Sequence, residues 1–211
     1  MQILVVAATA MEIAPFMEKN PATDFLITGV GVPATIYQLH KRLMQVDYDL
    51  VIQAGIAGSF NKLLPLASCI LVYRDVFADL GVEENNEYFT MGEKGLIDTA
   101  AFPYTNGWLV NENFLLKQID LPKVTSITVN KISDKIEQQE KYIQKFVPDI
   151  ESMEGAALHY VCLQEQVSFL QLRSISNIVG ERDKTKWKLD ASIINLNQEL
   201  EAIIKNIKQF V

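Results

Sequence analysis

Unbroken apolar runs alternate along the chain with stretches whose apolar residues recur three and four apart. Residues 3–8 form a continuous run rich in β-branched side chains, as expected of a strand covered on both faces, and residues 50–54, 69–76 and 169–176 read as further strands. Residues 25–28 and 125–129 predict two more strands. Between these, Thr9-Ala10-Met11-Glu12 leads into a helix that ends near Lys19-Asn20-Pro21. Pro33 suits a second helix start, and Ile36, Leu39 and Leu43 carry that helix to about Gln45. Residues 112–118 read as helical. Ser133-Asp134 begins a further helix, with Ile136, Ile143, Phe146 and Val147 expected on its inner side and Pro148 ending it. A short strand and a helix run from Glu151 to about Gln164. Ile193, Leu196, Leu200, Ile203, Ile207 and Phe210 mark a long amphipathic C-terminal helix packed on the sheet. From Gly81 to Trp108 the pattern weakens, and glycines, Asn85-Asn86 and Pro103 predict an excursion or lid with short strands.

Strands alternating with helices predict an α/β fold of three layers, a mainly parallel or mixed central sheet flanked by helices. No repeat, low-complexity tract or linker interrupts the pattern, so residues 1–211 read as one domain. Ligands of such folds collect beyond the carboxyl ends of the strands. Four segments reach such ends: residues 8–12, 28–31 and 55–59, and Ser176-Asn177.

Composition narrows the classes of function. Apolar residues make up 49% and charged residues 21% of the 211, as in globular chains. A net charge of −7 argues against non-specific binding to nucleic acid or an anionic membrane. Cys69 and Cys162 both lie in apolar surroundings, with no Cys/His spacing for zinc, so no metal and no cofactor is expected. The apolar N-terminus has no basic region before it and is too short to span a membrane. A cytoplasmic protein acting on a small molecule is the expectation.

The chemistry centres on Glu151-Ser152-Met153-Glu154-Gly155-Ala156-Ala157. A carboxylate among small and apolar residues needs a polar partner, and two adjacent ribose hydroxyls would supply one. Taken alone, Glu154 reads first as a carboxylate at the positive end of a helix. Gly55-Ile56-Ala57-Gly58 lacks both the phosphate-loop ending and the dinucleotide fingerprint. It reads as a tight turn, or as a small-residue floor for a flat ligand. Asn177 alone could cap a turn, and Glu12 alone could be an exposed helix carboxylate.

Four pieces in order resemble the purine nucleosidase and nucleoside phosphorylase family across nearly the whole chain: Ala10-Met11-Glu12, Gly55-Ile56-Ala57-Gly58, Ser152-Met153-Glu154-Gly155-Ala156 and Arg173-Ser174-Ile175-Ser176-Asn177. Within it, the segment from Ile175 to Asp183, with Trp187 after it, is similar to the branch of futalosine hydrolases. That resemblance implies release of hypoxanthine from futalosine in an alternative menaquinone pathway. It implies that Glu12 orients and deprotonates water, Glu154 holds the ribose hydroxyls, and Met153 packs on the sugar beside Ser152. Ala57, Gly58 and Ile132 would line the base pocket, and Asn177 would stabilise the departing base. Adenine nucleosidases of the family carry aspartate at the place of Asn177. An amide can donate towards a 6-oxo group, and mismatched polar groups in a closed site discriminate strongly. The proton source for the base stays open. Arg182 and Lys184 are the cations near the site for a distal substrate carboxylate, although solvation, or pairing of Arg182 with Asp183, is the simpler expectation. Ala67-Ser68 replaces the family's usual Gly-Asp, and Ser59 a frequent glycine. Family members form homodimers or larger homo-oligomers, so one is expected here. The alternatives are an adenine-releasing methylthioadenosine/adenosylhomocysteine nucleosidase, a phosphate-dependent phosphorylase, and a nucleoside-binding protein without catalysis. None of Arg42, Arg74, Arg173 and Arg182 lies in the loop after the first strand, where phosphate would want one. His40 and His159 sit in helical patterns and are given no catalytic role.

Overall fold

The N-terminal apolar run forms β1 (Ile3–Ala7), and all five residues are buried. The computed structural model describes residues 1–209, so Phe210 falls outside the described residues. Ile3, Val5 and Ala7 join one core cluster while Leu4 and Val6 join another. Both faces of β1 are therefore covered, which is why its sequence is apolar throughout and does not alternate.

Thr9 opens α1 (Ala10–Lys19) through a capping box with Glu12. β2 (Asp24–Ile27) pairs parallel with β1, and α2 (Val32–Leu43) follows with Pro33 in its first turn. β3 (Leu50–Ser59) is ten residues long. The Gly55-Ile56-Ala57-Gly58 segment thus continues the strand and makes no turn. The glycines serve close approach: a Cβ on Gly55 would collide with the Arg173 guanidinium, and one on Gly58 would sit 3.1 Å from Val179 and 3.4 Å from Asn177.

β4 (Cys69–Asp75) is followed by the excursion, which holds a hairpin of β5 (Gly81–Glu84) and β6 (Glu87–Thr90). β7 (Leu109–Val110) returns the chain to β4, antiparallel. The helical stretch after it is only α3 (Leu115–Gln118). β8 (Lys123–Thr128) leads to α4 (Ile136–Phe146), then β9 (Ile150–Ser152) and α5 (Gly155–Gln164). β10 (Phe169–Ile178) and α6 (Leu189–Gln209) complete the order.

The inner face of α4 differs from expectation. Ile136, Ile143 and Val147 are 66%, 44% and 75% exposed, while Tyr142 and Phe146 are buried against Ala78, Ile127 and Val129. The helix starts at Ile136, not at Ser133, and turns its two aromatics inward. Four residues apart, they share a face and bury more area than the aliphatic positions would. Val147 lies beyond the helix as a left-handed C-cap with φ of 45°.

The sheet is mixed. β3 pairs parallel with β1 through its first half and antiparallel with β9 at Gly58 and Ser59, while β10 runs parallel beside it from Val51 to Ser59. β10 pairs with β4, β4 with β8 and β8 with β9. The path from β3 through β10, β4, β8 and β9 returns to β3, so these strands close on themselves and β1 and β2 extend from one side. α1 and α6 cover one face, with Leu196, Leu200, Ile203 and Ile207 buried. α2 and α5 cover the other, with Leu39, Leu158, Val161 and Cys162 buried. No helix among the described residues is long and apolar enough to cross a membrane.

One interhelical contact bears on the site. Pro15 lies inside α1, where its ring crowds the preceding turn and it has no N–H to give. The Asn197 amide of α6 meets that turn: the Phe16 N–H donates to its Oδ1 at 2.9 Å, and its Nδ2 donates to the Glu12 carbonyl at 2.8 Å. A regular helix would join those two groups directly. The amide therefore bridges α1 at the residue that carries Glu12. Replacing Asn197 by Leu strands two buried backbone groups and is expected to cost about 2–4 kcal/mol in urea unfolding. A variant within 0.5 kcal/mol of wild type, on the order of a neutral surface change, would show that the bridge is dispensable.

Candidate active site

The carboxyl ends of β1, β3 and β10 and the start of α5 surround a pocket of about 230 Å³. Glu12, Ala57, Gly58, Ile132, Ser152, Met153, Glu154 and Asn177 all line it. Positions spread over most of the chain thus come together in one cavity.

Glu12 is buried, not exposed. Its Oε2 accepts from the Thr9 N–H at 3.0 Å and the Thr9 hydroxyl at 3.1 Å, and its Oε1 accepts from the Ile56 N–H at 3.1 Å. A carboxylate offers about four acceptor positions. Three are taken, so the side chain is fixed with one acceptor position left for a ligand.

Glu154 stands at the N-cap of α5, yet its side chain makes no capping hydrogen bond. It turns away from the helix. Oε1 accepts from the Gly31 N–H at 3.0 Å, and Oε2 lies 3.9 Å from the Arg173 guanidinium. Gly31 has φ of 93°, a conformation open to glycine, which aims that N–H at the carboxylate. Burial raises the Glu154 pKa, opposed by Arg173 and the Gly31 N–H. The helix-start reading accounts for the residue's place in the chain but not for the direction of its side chain.

Arg173 is 1% exposed. Its Nη2 donates to Gln53 Oε1 at 2.6 Å and its Nη1 to the Ile56 carbonyl at 3.4 Å. The space left by Gly55 is shared by this guanidinium and Glu12 Oε1. The cation thus reaches the loop after β1 from β10, below the pocket lining. The sequence marked Arg173 only as part of a matching segment. A buried arginine inside an apolar strand was the signal that could have shown more.

Asn177 owes its direction to a bulge. Ile175 pairs with Ala57 and Asn177 with Gly58, leaving Ser176 as an extra residue in β10. Without it, Ser176 would face Gly58 and Asn177 would turn to the opposite side of the sheet. The Ser176 hydroxyl donates to Asn177 Oδ1 at 2.8 Å, and Asn177 Nδ2 donates to the Ile178 carbonyl at 2.9 Å. One N–H and one acceptor position of the amide remain for a ligand.

Glu151, a lining residue given no role from sequence, pairs with Gly58 from the other side and is 8% exposed. Burial pushes its pKa up to about 7, with Arg182 opposing. Arg182 also lines the pocket. Asp183 accepts from the N–H and hydroxyl of Thr185, so it caps a short turn and forms no ion pair with Arg182. His159 lies outside the lining, with Nδ1 2.9 Å from the Leu109 carbonyl and burial lowering its pKa to about 4. His40 meets Glu165 at 2.9 Å on the surface.

Gly155 ties this site to the core. A Cβ there would collide with Gln171 Nε2 and Asp75 Oδ2. Asp75 is wholly buried, accepts from Thr128 and Gln171, and has its pKa raised to about 6 by burial. The sequence Glu154-Gly155 therefore lets α5 start against this polar pair.

The phosphorylase superfamily model matches residues 25–211. A futalosine hydrolase of Thermus thermophilus is 27% identical over 95% of this chain and 94% of its own length. Among solved structures, a Helicobacter pylori nucleosidase mutant with 5'-methylthioadenosine in its active site superposes with a TM-score of 0.80 at 16% identity, covering 97% of this chain and 98% of its own. A Helicobacter pylori futalosine hydrolase gives 0.79 at 16%, covering 97% of each chain. At that identity the likeness is one of fold.

Two predictions follow from the geometry. Gly155→Ala forces the start of α5 off the Asp75–Gln171 pair, and a loss of about 2–3 kcal/mol is expected; an unchanged melting temperature would contradict the close contact. Glu151 has a folded-state pKa of about 7 against an ordinary value of 4.5. Between these values the folded protein holds more protons than the unfolded chain, so this group's contribution to stability declines as pH rises from 4.5 to 7. The wild-type-minus-variant stability difference for Glu151→Gln should fall by about 2–3 kcal/mol across that window. A flat difference would show that the carboxyl is not perturbed.

Proposed function

The chain belongs to the phosphorylase superfamily, and we propose that within it the protein is a hydrolase that cleaves the N-glycosidic bond of futalosine. The products would be hypoxanthine and dehypoxanthine futalosine, in the alternative menaquinone pathway. The observation that carries this reading is the meeting of Glu12, Glu154 and Asn177 around one pocket. The near full-length similarity to a futalosine hydrolase supports the choice of substrate. The fold does not decide it, because an adenine-type nucleosidase and a futalosine hydrolase superpose equally well.

Breaking the bond builds positive charge on the sugar and negative charge on the base. Glu12 takes a proton from the attacking water with its free acceptor position, and its charge favours the cationic sugar. The Thr9 and Ile56 donors hold it in one orientation, so little reorganisation is needed at the moment of reaction. Glu154, fixed by Gly31, accepts from the ribose hydroxyls, and Met153 packs on the sugar. Asn177 donates its remaining N–H to the base. Ala57, Gly58 and Ile132 form the walls on which the purine lies.

Hydrolysis is favoured over phosphorolysis by the placing of the cations. Arg173 comes near Glu12 but lies below the lining and is already bonded to Gln53 and Ile56. It backs the site from behind the lining and is not among the residues that a phosphate in the pocket would meet.

Incubation with futalosine, inosine and methylthioadenosine, with and without phosphate, separates the alternatives by the free base released. Phosphate-independent hypoxanthine from futalosine is expected. Adenine release, a phosphate requirement or no release would each contradict it. Glu12→Gln should lower turnover about 10²–10⁴-fold with an unchanged far-UV spectrum. Near-normal hydrolysis by that variant would remove Glu12 from the mechanism.

A further inference from the structure

Gly58 has two cross-strand partners in register, Asn177 on β10 and Glu151 on β9. Partners in register project to the same face of a sheet. A Cβ on Gly58 would lie 3.4 Å from Asn177 Nδ2 and 3.6 Å from Glu151 Cγ, with Val179 Cγ2 closer still at 3.1 Å. Both side chains approach the pocket over Gly58, and all three residues line it. No side-chain hydrogen bond to the Glu151 carboxylate is formed among the described residues. Tyr142 of α4 and Arg182 of the loop after β10 are the titratable groups that face it. A buried carboxylate that lacks a donor and opens on a cavity calls for a donor from the ligand.

The proposed function supplies one, and the inference rests on that reading. A 6-oxopurine carries an acceptor, O6, beside a donor, N1–H. Adenine reverses both, with a donor amine beside the bare N1 lone pair. We propose that Glu151 is a specificity-determining residue that accepts the N1–H of a 6-oxopurine while Asn177 donates to O6. The two residues then read adjacent atoms across Gly58. Asn177 alone is an incomplete filter, because it reads only one of the two adjacent atoms in which the bases differ. An ionised carboxylate only accepts, so it repels the N1 lone pair of adenine in any orientation. Burial raises the Glu151 pKa to about 7, so the carboxyl excludes adenine when ionised, at pH above that value. An N–H donor from the base stabilises the ionised form, as Arg182 does.

The test is calorimetric binding of hypoxanthine, 1-methylhypoxanthine and adenine to wild type and to Glu151→Ala. Wild type should prefer hypoxanthine over each of the others by about 100-fold or more. In the variant that ratio should collapse to below about tenfold, because hypoxanthine loses its acceptor while adenine loses a repulsion. The wild-type arm needs no mutation, so a variant that fails to fold leaves the idea exposed: 1-methylhypoxanthine binding wild type as tightly as hypoxanthine overturns it. An unchanged ratio in a folded variant overturns it as well. Failure of the function reading looks different. A wild type that releases no base from futalosine but shows the collapsing ratio keeps Glu151 as a reader of oxopurines. A wild type that hydrolyses futalosine while the ratio ignores Glu151 keeps the function and loses this role.

Discussion

The buried guanidinium of Arg173 is the constraint around which the site is arranged. A cation with 1% exposure must be paired and hydrogen-bonded. Gln53 and the Ile56 carbonyl bond it, and Glu154 stands 3.9 Å away. Its position also dictates Gly55, since any side chain there would occupy the guanidinium's place. Glu12 reaches into the same gap from α1. The arginine's one carboxylate partner within 4 Å among the described residues is Glu154, while Glu12 is held by Thr9 and Ile56. Gly55 in β3 and the charged neighbour of Glu154 both follow from this one arginine.

The second constraint is register. Gly58 sits between Glu151 and Asn177 only because β9 meets the far end of β3 and because Ser176 is an extra residue in β10. The length of β3 permits both β1 and β9 to pair with it, at opposite ends. The closed path of strands therefore matters for chemistry, since it brings the ends of β3, β9 and β10 to one wall of the pocket.

Much of this was legible in the order of residues. The strand runs and the C-terminal stripe of α6 depend on periodicity, which is local, and the structure places those elements within a few residues of where the pattern does. The eight residues inferred for the site share one cavity. What sequence could not show were features set by partners distant in the chain. The glycines of β3 read as a turn because their causes, Arg173 beside Gly55 and Val179 and Asn177 beside Gly58, lie over a hundred positions away. The bulge at Ser176 is a one-residue shift with no compositional mark. Ala67 adopts φ of 65°, a left-handed conformation that the pattern alone would not choose for alanine. On α4, Phe146 faces inward as expected, but Tyr142 and not Ile136, Ile143 or Val147 joins it there. Glu151 was overlooked because its carboxylate has meaning only beside Gly58.

The central claim is that water, activated by Glu12, attacks the sugar of a 6-oxopurine nucleoside. Its most direct test is turnover of futalosine in water labelled with oxygen-18, with phosphate present, followed by mass spectrometry of both products. The account predicts one labelled oxygen on the sugar product and none on hypoxanthine. A sugar phosphate free of label would contradict it.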